Sequence, residues 1–190
     1  MIRLLLISCF AVQSVHADPA PDYSAGFLLR ATLRPETVVL DGTRIILGYG
    51  VDGAITADGL ENAVAHERAI RRAANAELLL RADLNGDGAV SVTELEVHAN
   101  TVSAGARARV RLGFDRADSD DDGHVSAAEI AAFARDLALE RFGAQQAQQI
   151  RELILCDLDH DGRLTVQELT QAVSDLARVS APKKADGKAL

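Results

Sequence analysis

Across residues 57–178 the apolar positions recur at helical rather than strand spacing. Residues 57–81 are rich in Ala, Glu, Arg and Leu, with no Pro and no Gly after Gly59. Within them Leu60, Val64, Ile70 and Leu78 fall at roughly helical intervals and predict one long helix. A helix opens at 95–98. Val110 and Phe114 predict another over 106–116, and Phe133 and Leu137 one over 130–141 that breaks at Gly143. Residues 145–155 and 169–178, the latter with Val173 and Leu176 inward, read the same way. Upstream, 37–47 reads VVL-DG-TRIIL. An Asp-Gly between β-branched runs suggests a hairpin, whereas a repeat unit beginning here would need a helix, so the segment reads as either a short distorted helix or a hairpin. Residues 181–190, with Pro182 and three lysines, predict a disordered tail.

Between the predicted helices lie three polar segments of one design: DLNGDGAVSVTE (83–94), DSDDDGHVSAAE (118–129) and DLDHDGRLTVQE (157–168). Carboxylates or an amide stand at alternate positions, as Asp83, Asn85 and Asp87, then Asp118, Asp120 and Asp122, then Asp157, Asp159 and Asp161. Glycine takes the sixth position of each (Gly88, Gly123, Gly162), where a sharp turn disfavours a Cβ. The segments end on Glu94, Glu129 and Glu168. A hard divalent cation with six to eight oxygen ligands needs this arrangement: side-chain oxygens at alternate positions, then a two-oxygen carboxylate closing the shell. The seventh residue gives its backbone carbonyl (Ala89, His124, Arg163), and the ninth usually acts through a water (Ser91, Ser126, Thr165). Ser91–Glu94, Ser126–Glu129 and Thr165–Glu168 also spell a capping box that opens a helix.

The segments begin at 83, 118 and 157, steps of 35 and 39 residues, which makes them an internal repeat of helix–loop–helix units. One step upstream, GYGVDGAITADG (48–59) keeps Asp52, Gly53, Ile55 and Thr56 in register. It has Gly48, Gly50 and Gly59 at the first, third and twelfth positions. It reads as a degenerate unit without metal ligands, pairing with 83–94 and leaving 118–129 to pair with 157–168. A plain glycine-rich turn is the competing reading.

The loops are those of the EF-hand, and over residues 48–178 the chain resembles secreted bacterial EF-hand proteins of the calmodulin-like superfamily. The resemblance implies an all-α fold: two paired EF-hand lobes joined by short antiparallel loop–loop bridges through Ile55, Val90, Val125 and Leu164. It implies bound Ca²⁺, here three ions. The expected organisation is 1–17 signal peptide, 18–44 an N-terminal segment of unassigned structure, 45–104 and 105–180 the two hand pairs, and 181–190 the tail.

Composition narrows the function. Net charge is −8, and 12 of the 28 acidic residues sit inside the three loops, so the acidity is directed at metal. Such a chain excludes nucleic acid as a partner. No GxSxG, HExxH, P-loop or CxxC motif points to an enzyme. Residues 1–3 are a short positive region, 4–12 an apolar run too short for a membrane span, and Val15-His16-Ala17 a cleavage signal. Export to the periplasm or medium follows, with a mature start at Asp18; Leu6-Ile7-Ser8-Cys9 offers a lipobox as the alternative. Cleavage after Ala17 leaves Cys156 alone, a buried structural thiol. It also removes the sole Met, which argues against a Met-rich target groove. The function expected is calcium buffering or calcium-stabilised structure outside the cytoplasm. The alternatives are a calcium sensor gating an unidentified protein partner and a dockerin-like adhesion module.

Overall fold

The computed structural model describes residues 22–180. The expected signal segment (1–17) and tail (181–190) lie outside the described residues. The fold is all-α. Helices α1 (Ala25–Leu33), α2 (Pro35–Tyr49), α3 (Ala57–Leu80), α4 (Val92–Ala99), α5 (Ala104–Ala117), α6 (Ala127–Arg141), α7 (Ala144–Arg151) and α8 (Val166–Ser180) alternate with loops. A 3₁₀ segment, Glu152–Cys156, follows α7. Four two-residue strands lie in the loops: β1 (Ala54–Ile55), β2 (Val90–Ser91), β3 (His124–Val125) and β4 (Leu164–Thr165).

The bridges are nested. Strand β2 pairs antiparallel with β3, Val90 opposite Val125, while β1 pairs with β4, Ile55 opposite Leu164. The expected partnering of 48–59 with 83–94, and of 118–129 with 157–168, is therefore overturned. So are the contiguous pairs 45–104 and 105–180. The inner lobe joins the second and third hands; the outer lobe joins the first and the fourth.

The cause is α3. It is at once the exit helix of the first hand and the entry helix of the second, 24 residues without a break. At 1.5 Å per residue it holds the two loops about 36 Å apart, too far for a bridge. Residues 100–103, by contrast, let α5 fold back on α4, and the loops of the second and third hands meet. The first hand is left with the fourth.

Each lobe has its own core. Ile46, Ile55, Leu60, Leu164, Leu169 and Val173 fill the outer one, joined by Phe27 and Ala31 from α1. Leu79, Val90, Val110, Phe114, Val125 and Ile130 fill the inner one. Val64, Phe142 and Ala147 make a small third cluster. Buried Asn75 of α3 is satisfied by donating to the Ala134 carbonyl of α6 at 3.2 Å.

Residues 37–47 are helical, not a hairpin. Val38, Gly42 and Ile46 recur every fourth residue along the buried face of α2. Gly42 serves packing rather than a turn, since a Cβ there would come within 2.5 Å of Leu169 Cδ2 on α8. Helix α1 is capped by Ser24, which accepts from Phe27 N–H and donates to Glu152 at 2.8 Å. Tyr23 stacks on Phe27 and donates to the Leu155 carbonyl at 2.9 Å. Nearby, Cys156 is buried, and desolvation pushes its thiol up to about 11.

Candidate metal centre

Each loop is shaped by its own carboxylates. The first-position aspartate accepts from the sixth-position glycine N–H: Asp83 from Gly88 (2.9 Å), Asp118 from Gly123 (3.0 Å), Asp157 from Gly162 (2.8 Å). The fifth-position aspartate accepts from the seventh N–H: Asp87 from Ala89, Asp122 from His124, Asp161 from Arg163. These bonds wind the backbone around a centre, and the sixth-position glycines take φ of 84°, 77° and 82°, the left-handed region. The fourth position is left-handed too, through Gly86, Asp121 and His160.

The twelfth-position glutamates are anchored at both ends. One oxygen closes the capping box, accepting from backbone and hydroxyl of Ser91, Ser126 or Thr165 at 2.7–2.9 Å. The other crosses the loop to the second-position N–H, of Leu84, Ser119 or Leu158. Ser119 adds its hydroxyl at 2.8 Å, a partner that sequence reasoning missed; its signal was a hydroxyl where the other loops carry leucine.

These bonds fix charge. Backbone donors from Ser126 and Ser119, then their hydroxyls, lower Glu129 to about 2. Glu94 is lowered by the Ser91 backbone and hydroxyl. For Glu168 the largest single influence is burial, which raises it, but Thr165, Leu158 and Asp159 donors together outweigh it and hold the carboxyl low. In Asp159 the Asp161 N–H lowers the carboxyl, yet burial and the charges of Asp161 and Glu168 leave it raised. A carboxylate lowered by folding contributes stability that is complete above its unfolded value, near 4.5, and lost as pH falls through its folded one. The calcium-free protein is thus expected to lose stability steadily from pH about 4.5 down to about 2, read as a falling urea midpoint.

Three carboxylates converge at two of the loops: Asp118, Asp120 and Glu129, and Asp157, Asp159 and Asp161, each set within 4.8 Å. In 83–94 the third position is Asn85, whose amide nitrogen donates to Asp87 at 2.9 Å while its oxygen accepts from Asp87 N–H. Buried Asp157 is the most telling residue. Its Oδ1 has no hydrogen-bond partner, a costly state for a buried carboxylate oxygen unless a cation meets it. The donor set is all oxygen, as a hard divalent ion requires.

The segment 48–59 holds no such cradle. Asp52 and Gly53 both have positive φ (53° and 77°), and Val51 and Ala54 bond to each other at 2.8 and 3.2 Å. The loop has collapsed into the tight Asp-Gly turn that such angles define. Arg163, seventh in its own loop, donates across to the Val51 carbonyl at 3.2 Å.

With this geometry in view, the comparisons with known proteins are specific. Residues 107–174 match the EF-hand domain pair and 76–97 a further EF hand. The matched domain pair contains loops 118–129 and 157–168, consecutive in sequence but placed in different bridges by the fold. The type 2 calcineurin B protein from Bos taurus is 29% identical over 98 residues, and that from Homo sapiens 28%. Each alignment covers 50% of this chain and 58% of the relative, so the chain spans little more than half the length of the curated relatives it matches. No solved structure matches. Residues 76–97 and 107–174 are thus similar to EF hands, a class of Ca²⁺-binding helix–loop–helix domain. Among the described residues no helix is long and apolar enough to cross a membrane.

Proposed function

We propose that the protein carries three calcium sites and one metal-free hand, and acts in calcium buffering or calcium-stabilised structure outside the cytoplasm. The ligands are the side chains of Asp83, Asn85, Asp87 and Glu94; of Asp118, Asp120, Asp122 and Glu129; and of Asp157, Asp159, Asp161 and Glu168. The carbonyls of Ala89, His124 and Arg163 join them, with Ser91, Ser126 and Thr165 acting through water. The observation that carries the reading is Asp157, whose buried Oδ1 is orphaned and whose carboxylate lies within 4.8 Å of those of Asp159 and Asp161. Bound calcium supplies the positive charge that lets these carboxylates stay crowded and ionised.

Buffering is favoured over switching on two grounds. Residues 1–17 read as an export signal, and no Met follows Met1. Outside a cytoplasm a site with a Kd about 100-fold below the ambient calcium stays filled, adding about 2.7 kcal/mol to stability. Isothermal titration of the chain from Asp18 is expected to count three calcium ions, with a raised Tm and no gain in binding of a hydrophobic dye. A count other than three overturns the site assignment.

A second reading, a calcium-gated partner protein, has its own observation. Leu29, Leu33, Leu40 and Leu47 on α1 and α2 are all more than half exposed, and the similar relatives are named as calcineurin subunits. Dye fluorescence rising with calcium would favour it.

A further inference from the structure

A cavity of about 500 Å³ opens where the two lobes meet, bounded by α1, α2, α3, α7 and the C-terminal end of α6. Its floor is apolar and buried, formed by Phe27, Val38, Phe142 and Leu153. Its rim is cationic: Arg30, Arg44, Arg71 and Arg141 face only two carboxylates, Asp41 and Glu67. Those two are stretched thin. Asp41 lies 3.4 Å from Arg30 and 3.8 Å from Arg44, and Glu67 lies 3.4 Å from Arg71. Arg141 makes no ion pair among the described residues. The Arg71 guanidinium is held 5.1 Å over the Phe142 ring, with its Nε buried and unpartnered. A rim with two surplus positive charges is out of character for a chain of net charge −8.

The calcium sites do not use this cavity, and its chemistry points elsewhere. Its volume suits a small molecule, for which pockets run roughly 300–1,000 Å³. A small inorganic anion would satisfy the guanidiniums and leave the floor wet. A neutral hydrocarbon would fill the floor and forgo the charge-assisted hydrogen bonds that arginine forks give a carboxylate. A ligand matched to both has an anionic head and one apolar tail. We propose that this interlobe cavity binds a medium-chain alkyl carboxylate, its tail against Phe27, Val38 and Phe142 and its head between Arg71 and Arg141. The proposal stands whether or not the calcium reading does.

The test is displacement of a dansyl-labelled fatty acid from the calcium-loaded chain, below the micellar range. Dodecanoate is expected to compete to saturation at one site per chain, and dodecanol to bind about tenfold or more weaker. The paired rim reversal R44E and R141E is expected to cost dodecanoate about tenfold or more, and to leave dodecanol and the far-ultraviolet circular dichroism unchanged. Ile45→Trp, which narrows the apolar part, should weaken both ligands. Unsaturable dodecanoate binding, equal affinity for dodecanol, or full dodecanoate affinity in the folded R44E and R141E protein would each overturn the assignment.

Discussion

Leu164→Ala is expected to cost about 3 kcal/mol, within the roughly 2–5 kcal/mol range of buried leucine truncations. Leu164 is fully buried and lies opposite Ile55 in the β1–β4 bridge, inside a core built from both ends of the chain. The small outer lobe has few ways to collapse into the void, because Gly42 and Leu169 already bring α2 and α8 into closest approach. Hydrogen exchange should show where the cost falls. Amides of α1, α2 and α8 are expected to lose protection together, while those of α5 and α6 in the inner lobe keep it. If the variant instead opened α6 together with α8 and left α2 protected, hands three and four would be partners and the nested arrangement would be wrong.

The second large effect is on metal. Substituting Glu94, Glu129 and Glu168 together with Gln is expected to weaken every site more than tenfold, which is more than about 1.4 kcal/mol each. Gln is chosen because the capping box accepts either residue, so the helix starts at Ser91, Ser126 and Thr165 survive. What disappears is the charged, two-oxygen ligand at the end of each loop. Isothermal titration should then register no tight site in a protein whose calcium-free helicity matches the parent. Three tight sites in that variant would mean that the glutamates are capping residues alone.

Much of the metal centre was legible in the sequence because an EF-hand loop is a local object. Alternating donors, a left-handed glycine and a capping glutamate all lie within twelve residues. The bonds that shape each loop run almost wholly inside it, as from Gly162 to Asp157 or Thr165 to Glu168. The degenerate hand was legible as well, through Asp52, Gly53 and Ile55, although its collapse onto a Val51–Ala54 turn was not. The helix over 37–47 was one of two readings left open, because Asp41-Gly42 is a strong turn signal in isolation. In the folded chain Gly42 is needed where α2 meets Leu169, a contact that no local pattern records.

The sequence by itself determined three helix–loop–helix units bearing oxygen donors at calcium-loop spacing, and a fourth loop in register upstream of them, since propensity, capping and turn chemistry act over a few residues. Only the tertiary structure decided which units became partners. All four loops offer an aliphatic residue at the bridging position, so the bridge chemistry does not discriminate among them. The long helix over 57–81 was legible, but its consequence lies in the folded chain: α3 holds the first two loops at opposite ends of one rigid rod, and the first hand closes on the last.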